Sequence, residues 1–181
     1  MARLIMWNVI TLDGYFEKGY FDLSFHENIW GEELEELSIR QLASASYLAF
    51  GRKTYEGMAA YWANETGRIA DMMNSIPKLV FSRTLEKADW NNSILIKEHA
   101  LEKIAEIKAS ESKDIYLFGS ACLASDLLKA GQFDLLRIGI APVILGRGNP
   151  LFRTETPLNL KTESVKILKN GGVIVDYIPL Y

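Results

Sequence analysis

Three stretches of the chain set glycine, hydroxyl or cationic residues directly behind an apolar run. The first is Leu48-Ala49-Phe50-Gly51-Arg52-Lys53-Thr54-Tyr55-Glu56. Glycine lets backbone approach a ligand, and Arg52 and Lys53 carry positive charge. A helix opening at Thr54 would present free amides to an anion. The spacing is too short for a P-loop. The second is Leu79-Val80-Phe81-Ser82-Arg83-Thr84. A guanidinium between two hydroxyls is a receptor for a phosphate monoester, the role an Arg plays at a dinucleotide 2′-phosphate. The third is Tyr116-Leu117-Phe118-Gly119-Ser120-Ala121-Cys122-Leu123, where small residues at a strand-to-helix turn admit a pyrophosphate or a flat ring. It lacks the full GxGxxG fingerprint, so a standard Rossmann domain is not supported. Each stretch alone also reads as an ordinary turn, polar loop or tight packing point. Together they fit a ligand with two phosphate regions and a flat ring, because ligands of open α/β sheets gather at the carboxyl ends of strands.

Other reactive residue types offer less. His26 and His99 are the only histidines and show no metal-ligand spacing. Both read as surface or loop residues, with His26 close enough in sequence to the expected site to border a substrate. Cys122 reads as a small buried packing residue, and Trp7, Trp30, Trp62 and Trp90 as core, with Trp30 and Tyr15 as alternative walls for a planar ligand. Glu32, Glu33, Glu35 and Glu36 read as a solvated helix face, so no acid is fixed. No metal site is expected, and no Ser-His-Asp arrangement can be built.

The elements that must position these residues alternate. Arg3–Ile10 predicts a buried strand, followed by a turn at Leu12-Asp13-Gly14-Tyr15 and a loop to about Asn28 that can cover a site. A helical period runs from Ile29 to about Ser46. Strands are expected at Tyr47–Phe50, Lys78–Phe81, Ile94–Ile96, Asp114–Phe118 and Leu135–Ala141. Helices are expected near Thr54, Ile69–Ser75, Ala100–Lys108 and Ala121–Ala130. Leu158–Leu168 and Val173–Ile178 flank Asn170-Gly171-Gly172, a hairpin signal. The order predicts one α/β domain over 1–181, with a largely parallel sheet and a C-terminal β-hairpin.

With 181 residues, 49% hydrophobic and 24% charged, the chain is long enough to bury its own core. A net charge of -3 argues against a general nucleic-acid binder. One cysteine precludes an internal disulfide and points to a reducing, cytoplasmic setting. Apolar runs fall short of the roughly 20 residues of a membrane span.

The motifs Thr11-Leu12-Asp13-Gly14-Tyr15, Gly51-Arg52-Lys53-Thr54-Tyr55-Glu56, Lys78 to Leu85, Gly119-Ser120, and Ala141 to Gly148 with Leu151-Phe152 occur in one order over nearly the whole chain. In this the sequence resembles the dihydrofolate reductase-like superfamily. Within it, the chain is most similar to the reductase domain of the bifunctional riboflavin-biosynthesis deaminase-reductase and its stand-alone bacterial relatives. The deaminase zinc pattern does not occur. The resemblance implies a central, mostly parallel mixed sheet flanked by helices, NADPH as cofactor, and hydride transfer to a pyrimidine-like, pterin-like or carbonyl-type small molecule. 5-Amino-6-(5-phosphoribosylamino)uracil reduction is one such reaction. It implies that Gly51, Arg52, Lys53 and Thr54 hold cofactor phosphates and that Ser82 and Arg83 meet the 2′-phosphate. Gly119, Ser120, Ala121 and Leu123 would line the pyrophosphate and nicotinamide. Val9, Thr11, Asp13 and Gly14 would lie near the nicotinamide and substrate mouth. It also implies a homodimer. Because no acid is fixed, a second class remains: a nucleotide-binding sensor or assembly protein that keeps the cleft without turnover.

Overall fold

The computed structural model describes residues 1–154 and 156–181. Ten strands and five helices alternate: β1 Leu4–Thr11, β2 Tyr15–Glu17, α1 Glu32–Ala43, β3 Ala45–Gly51, α2 Arg52–Trp62, α3 Arg68–Ser75, β4 Lys78–Phe81, β5 Ser93–Ile96, α4 Ala100–Ser110, β6 Asp114–Phe118, α5 Ala121–Lys129, β7 Leu135–Ala141, β8 Asn149–Pro150, β9 Asn159–Ile167 and β10 Val173–Leu180. Eight strands form one sheet in the order β5-β4-β3-β6-β1-β7-β10-β9. Its pairings from β5 across to β7 are parallel. β10 runs antiparallel to both β7 and β9. The expected mixed α/β fold is the observed one.

The parallel strands are apolar on both faces because helices cover both. In β1, Ile5, Trp7 and Val9 enter one core, and Leu4 and Met6 enter the other. The first core is closed by Leu34 and Leu42 of α1, Tyr55 of α2 and Met73 of α3. The second is closed by Ile104 and Ile107 of α4 and by Ala124, Leu127 and Leu128 of α5.

Boundaries differ from the sequence expectation in instructive places. The helix expected near Thr54 opens at Arg52, directly behind Gly51, so Thr54 lies inside its first turn. The loop from Asp13 to Asn28 contains β2 and a short 3-10 helix, Ser24–Asn28. Strand β2 pairs with β8, a two-residue strand that carries no hydrophobic pattern of its own. At the far end, Asn170-Gly171 makes the expected hairpin turn, with Gly171 at φ +88°. Asn170 Nδ2 donates to the Ile29 carbonyl at 2.7 Å, which ties the hairpin to the entry of α1. Strand β9 is the exposed edge of the sheet.

Candidate active site

Two strand-to-helix junctions lie side by side. Strand β3 pairs with β6 in parallel, which brings the β3–α2 and β6–α5 turns together. Gly119 and Ser120 both adopt left-handed backbone, at φ +57° and +59°. That is unremarkable for Gly119 but costs Ser120 on the order of 1–3 kcal/mol. Hydrogen bonds hold it in place. The Ser120 N–H donates to Thr54 Oγ1 at 3.0 Å, the Ser120 hydroxyl donates to the same oxygen at 3.0 Å, and the Gly51 N–H donates to Ser120 Oγ at 2.7 Å. A Cβ on Gly51 would stand 2.7 Å from Ser120 Oγ, and one on Gly119 would stand 2.8 Å from Thr54. The two glycines are therefore demanded by the contact between the junctions.

Neither α2 nor α5 has a side-chain cap or an acidic residue in its first turn. Their leading amides and positive dipole ends are left for an anion. These ends open on a hollow of about 450 Å³ that is lined by Gly51, Arg52, Lys53, Thr54, Ser82, Arg83, Ser120, Ala121 and Leu123. Nine of the residues expected to bind the cofactor thus share one wall. Lys97 and Arg153 add positive charge, and Cys122 also lines the hollow. Cys122 is exposed rather than buried, because α5 turns that face away from the sheet.

A larger hollow of about 770 Å³ adjoins the first, and Phe16, Glu17, Phe21 and Thr54 line both. Val9 and Gly119 lie here, with Trp7, Trp30, Trp62, Met58 and Phe118. The face of α1 turned to it carries Leu34, Ser38, Gln41 and Leu42, and none of the four glutamates. Glu33 is spent elsewhere. It accepts from the Lys169 N–H at 2.7 Å and pairs with Lys166 at 3.2 Å, contacts that hold its carboxyl below the usual range. Glu17 and Glu27 are the carboxylates on this wall. Glu17 is itself engaged, accepting from Asn149 Nδ2 at 2.6 Å and from the Phe21 N–H at 3.1 Å.

Thr11, Asp13 and Gly14 line neither hollow. They build the turn beside them. The Thr11 hydroxyl donates to Asp13 Oδ1 at 2.6 Å and accepts from the Tyr15 N–H at 3.1 Å. Asp13 accepts from the Leu145 and Gly146 amides at 3.2 and 2.8 Å. The bond from Thr11, aided by those amides, holds the Asp13 carboxyl below its ordinary value. The motif around Asp13 therefore latches the one around Gly146.

Asn8 and His26 are the main residues that the sequence reading underweights. Asn8 is 7% exposed, and its Oδ1 accepts from the Gly119 N–H at 2.9 Å. Its Nδ2 is buried without a partner, as is His26 Nε2. Burial pushes the His26 imidazole from its ordinary 6.5 down to about 4. The available signal for Asn8 was an amide inside an otherwise apolar strand run. His99, by contrast, is on the surface beside Glu98 and Glu102. Among the described residues no group of His, Cys, Asp and Glu could hold a metal ion, and no helix is long and apolar enough to cross a membrane.

The sheet order and its antiparallel edge hairpin define a dihydrofolate reductase-like fold. The structure of an Enterococcus faecalis dihydrofolate reductase in complex with NADP(H) and RAB-propyl superposes with a TM-score of 0.67 at 13% identity, over 98% of this chain and 96% of that one. A putative riboflavin biosynthesis protein from Shewanella sp. PV-4 superposes with a TM-score of 0.80 at 19% identity, over 99% of both chains. The sequence model of the RibD C-terminal domain matches residues 2–175, and the chain belongs to that family. The uncharacterized protein YyaP of Bacillus subtilis (strain 168) is 29% identical over 185 residues, covering 97% of this chain and 94% of YyaP. Family and fold together support a reductase-type function.

Proposed function

We propose that the chain is an NADPH-dependent reductase of a small planar molecule. The observation that carries this reading is the union of two uncapped helix ends and a set of cations on one hollow, which opens into a second, aromatic one. NADPH would supply a hydride. The amides of α2 and α5 suit its phosphates, and Gly51 and Gly119 let the two helix starts stand close enough to share them. Arg83 and Ser82, at the end of β4, suit the 2′-phosphate. The shared wall at Thr54 and Phe21 is where cofactor ring and acceptor would meet. Edge strand β9 favours pairing with a second copy, and a sedimentation mass near 20.4 kDa would remove that part of the reading.

Titration with NADPH and NADH, followed by heat and tryptophan fluorescence, tests the cofactor assignment. NADPH is expected to bind far more tightly than NADH, and Arg83→Ala to weaken NADPH at least tenfold with little change for NADH. Equal losses for both cofactors would take Arg83 away from the 2′-phosphate. NADPH binding without oxidation across pterins, pyrimidines and carbonyls would favour the nucleotide-sensor reading, which the lack of a fixed acid on α1 keeps open.

A further inference from the structure

The two hollows meet but differ in charge. The smaller is lined by five cations, Arg52, Lys53, Arg83, Lys97 and Arg153, against the carboxylates Glu17, Glu98 and Asp126. Among the described residues no Lys or Arg lines the larger hollow, whose charged side chains are Glu17 and Glu27. Arg137 touches its wall only from behind, donating from Nη1 to Gln41 Oε1 at 3.1 Å. Its Nε and Nη2 are held by Asp176 at 2.7 Å each, so its charge is already answered. A phosphate dianion in this space would lose water, face two carboxylates and find no cation.

The unmet polar groups point the other way. Asn8 Nδ2 is a donor whose orientation is fixed, because the Gly119 N–H holds the other end of the amide. His26 Nε2 belongs to a ring kept neutral at physiological pH, so it presents one lone pair or one N–H according to tautomer. Both residues line the larger hollow, among Trp7, Trp62 and Phe118. Leaving such buried groups unpaired is costly until something pairs with them. An uncharged heterocycle with ring nitrogens or carbonyls meets both needs, and about 770 Å³ is ample for one.

Resting on the reductase reading, we propose that the larger hollow takes a flat, uncharged, phosphate-free heteroaromatic acceptor that hydrogen-bonds Asn8 Nδ2 and His26 Nε2. The chain would then not reduce phosphoribosylated pyrimidines. Selectivity comes from the missing cation as much as from the polar pair.

The test compares riboflavin with riboflavin 5′-phosphate, one flat ring with and without the dianion, by equilibrium titration of the full chain. Riboflavin is expected to bind at least tenfold more tightly in the larger hollow, and His26→Phe to weaken it about tenfold. Any binding of the phosphate in the cationic hollow is expected to be indifferent to His26→Phe. Ser24→Lys, at an exposed position on the rim of the larger hollow, is expected to tighten the phosphorylated probe several-fold. Failure of riboflavin to bind would overturn the proposal. So would equal affinity for both probes with equal sensitivity to His26→Phe. Loss of NADPH binding with riboflavin binding intact would strike the reductase reading alone.

Discussion

Replacing His26 with glutamine should remove a large part of the protein's acid sensitivity. The folded-state value of about 4 lies below the ordinary 6.5, so between these pH values the unfolded chain holds a proton that the folded chain refuses. Stability is full above pH 6.5 and falls as pH drops toward 4. Linkage sets the size of the loss at about 2 kcal/mol by pH 5 and about 3 kcal/mol by pH 4. Asp13, Asp22 and Glu33 are also held low by hydrogen bonds and add losses of their own on the acid side. The variant shares those losses, so the difference between the two proteins isolates His26. Urea unfolding at half-unit steps from pH 7.5 to 4.5 supplies both curves. They should converge by about 2 kcal/mol between pH 7 and pH 5. Parallel curves would mean that the folded imidazole accepts its proton freely. Burial would then not hold the ring neutral, and the argument for a neutral His26 at physiological pH would fail.

Other sites give further checks. Arg137→Met leaves Asp176 buried without its partner and Gln41 without its donor, so a loss of about 3–5 kcal/mol is expected in denaturant unfolding. Lys78 is fully buried and donates to the carbonyls of Asn74, Ile76 and Asn91, with burial lowering its pKa from 10.5 to about 8. Between those values the unfolded chain binds the extra proton, so stability should rise with pH across the window, and Lys78→Met should abolish that rise. Thr54→Val removes the acceptor that holds Ser120 left-handed. It should cost about 1–3 kcal/mol and weaken NADPH severalfold, and unchanged NADPH affinity would separate the turn from the cofactor.

The fold was legible where one physical rule governed a stretch. Lys78–Phe81, Asp114–Phe118 and Leu135–Ala141 are short, predominantly apolar runs, and each matches its observed strand to the residue. Asn170-Gly171 needs left-handed backbone, which marks the hairpin turn. By contrast, β2 and β8 pair beside the latch between the Asp13 turn and the Leu145–Gly146 loop, a contact across more than a hundred residues. The clustering of the cation-lined hollow was readable because glycine, cations and helix starts are local signals. The larger hollow was not. Its walls come from β1, β2, β6, α1, α2, α3 and the 3-10 turn, and residues such as Leu42, Met58 and Trp62 look like ordinary core in sequence.

That contrast bears on how a site of this shape diversifies. The junctions at Gly51 and Gly119 are tied to each other through Thr54 and Ser120, and a Cβ at either glycine collides. Changes there disturb both hollows together. The lining of the larger hollow is a set of side chains projecting from several elements, and each can change without moving the backbone of the junctions. The lining can therefore shift at Ser24, Gln41 or Met58 while the cation-lined hollow stays fixed. The absence of Lys and Arg among the described residues of that wall, set against five cations next door, is the form such a shift would take for the phosphate-free acceptor proposed above.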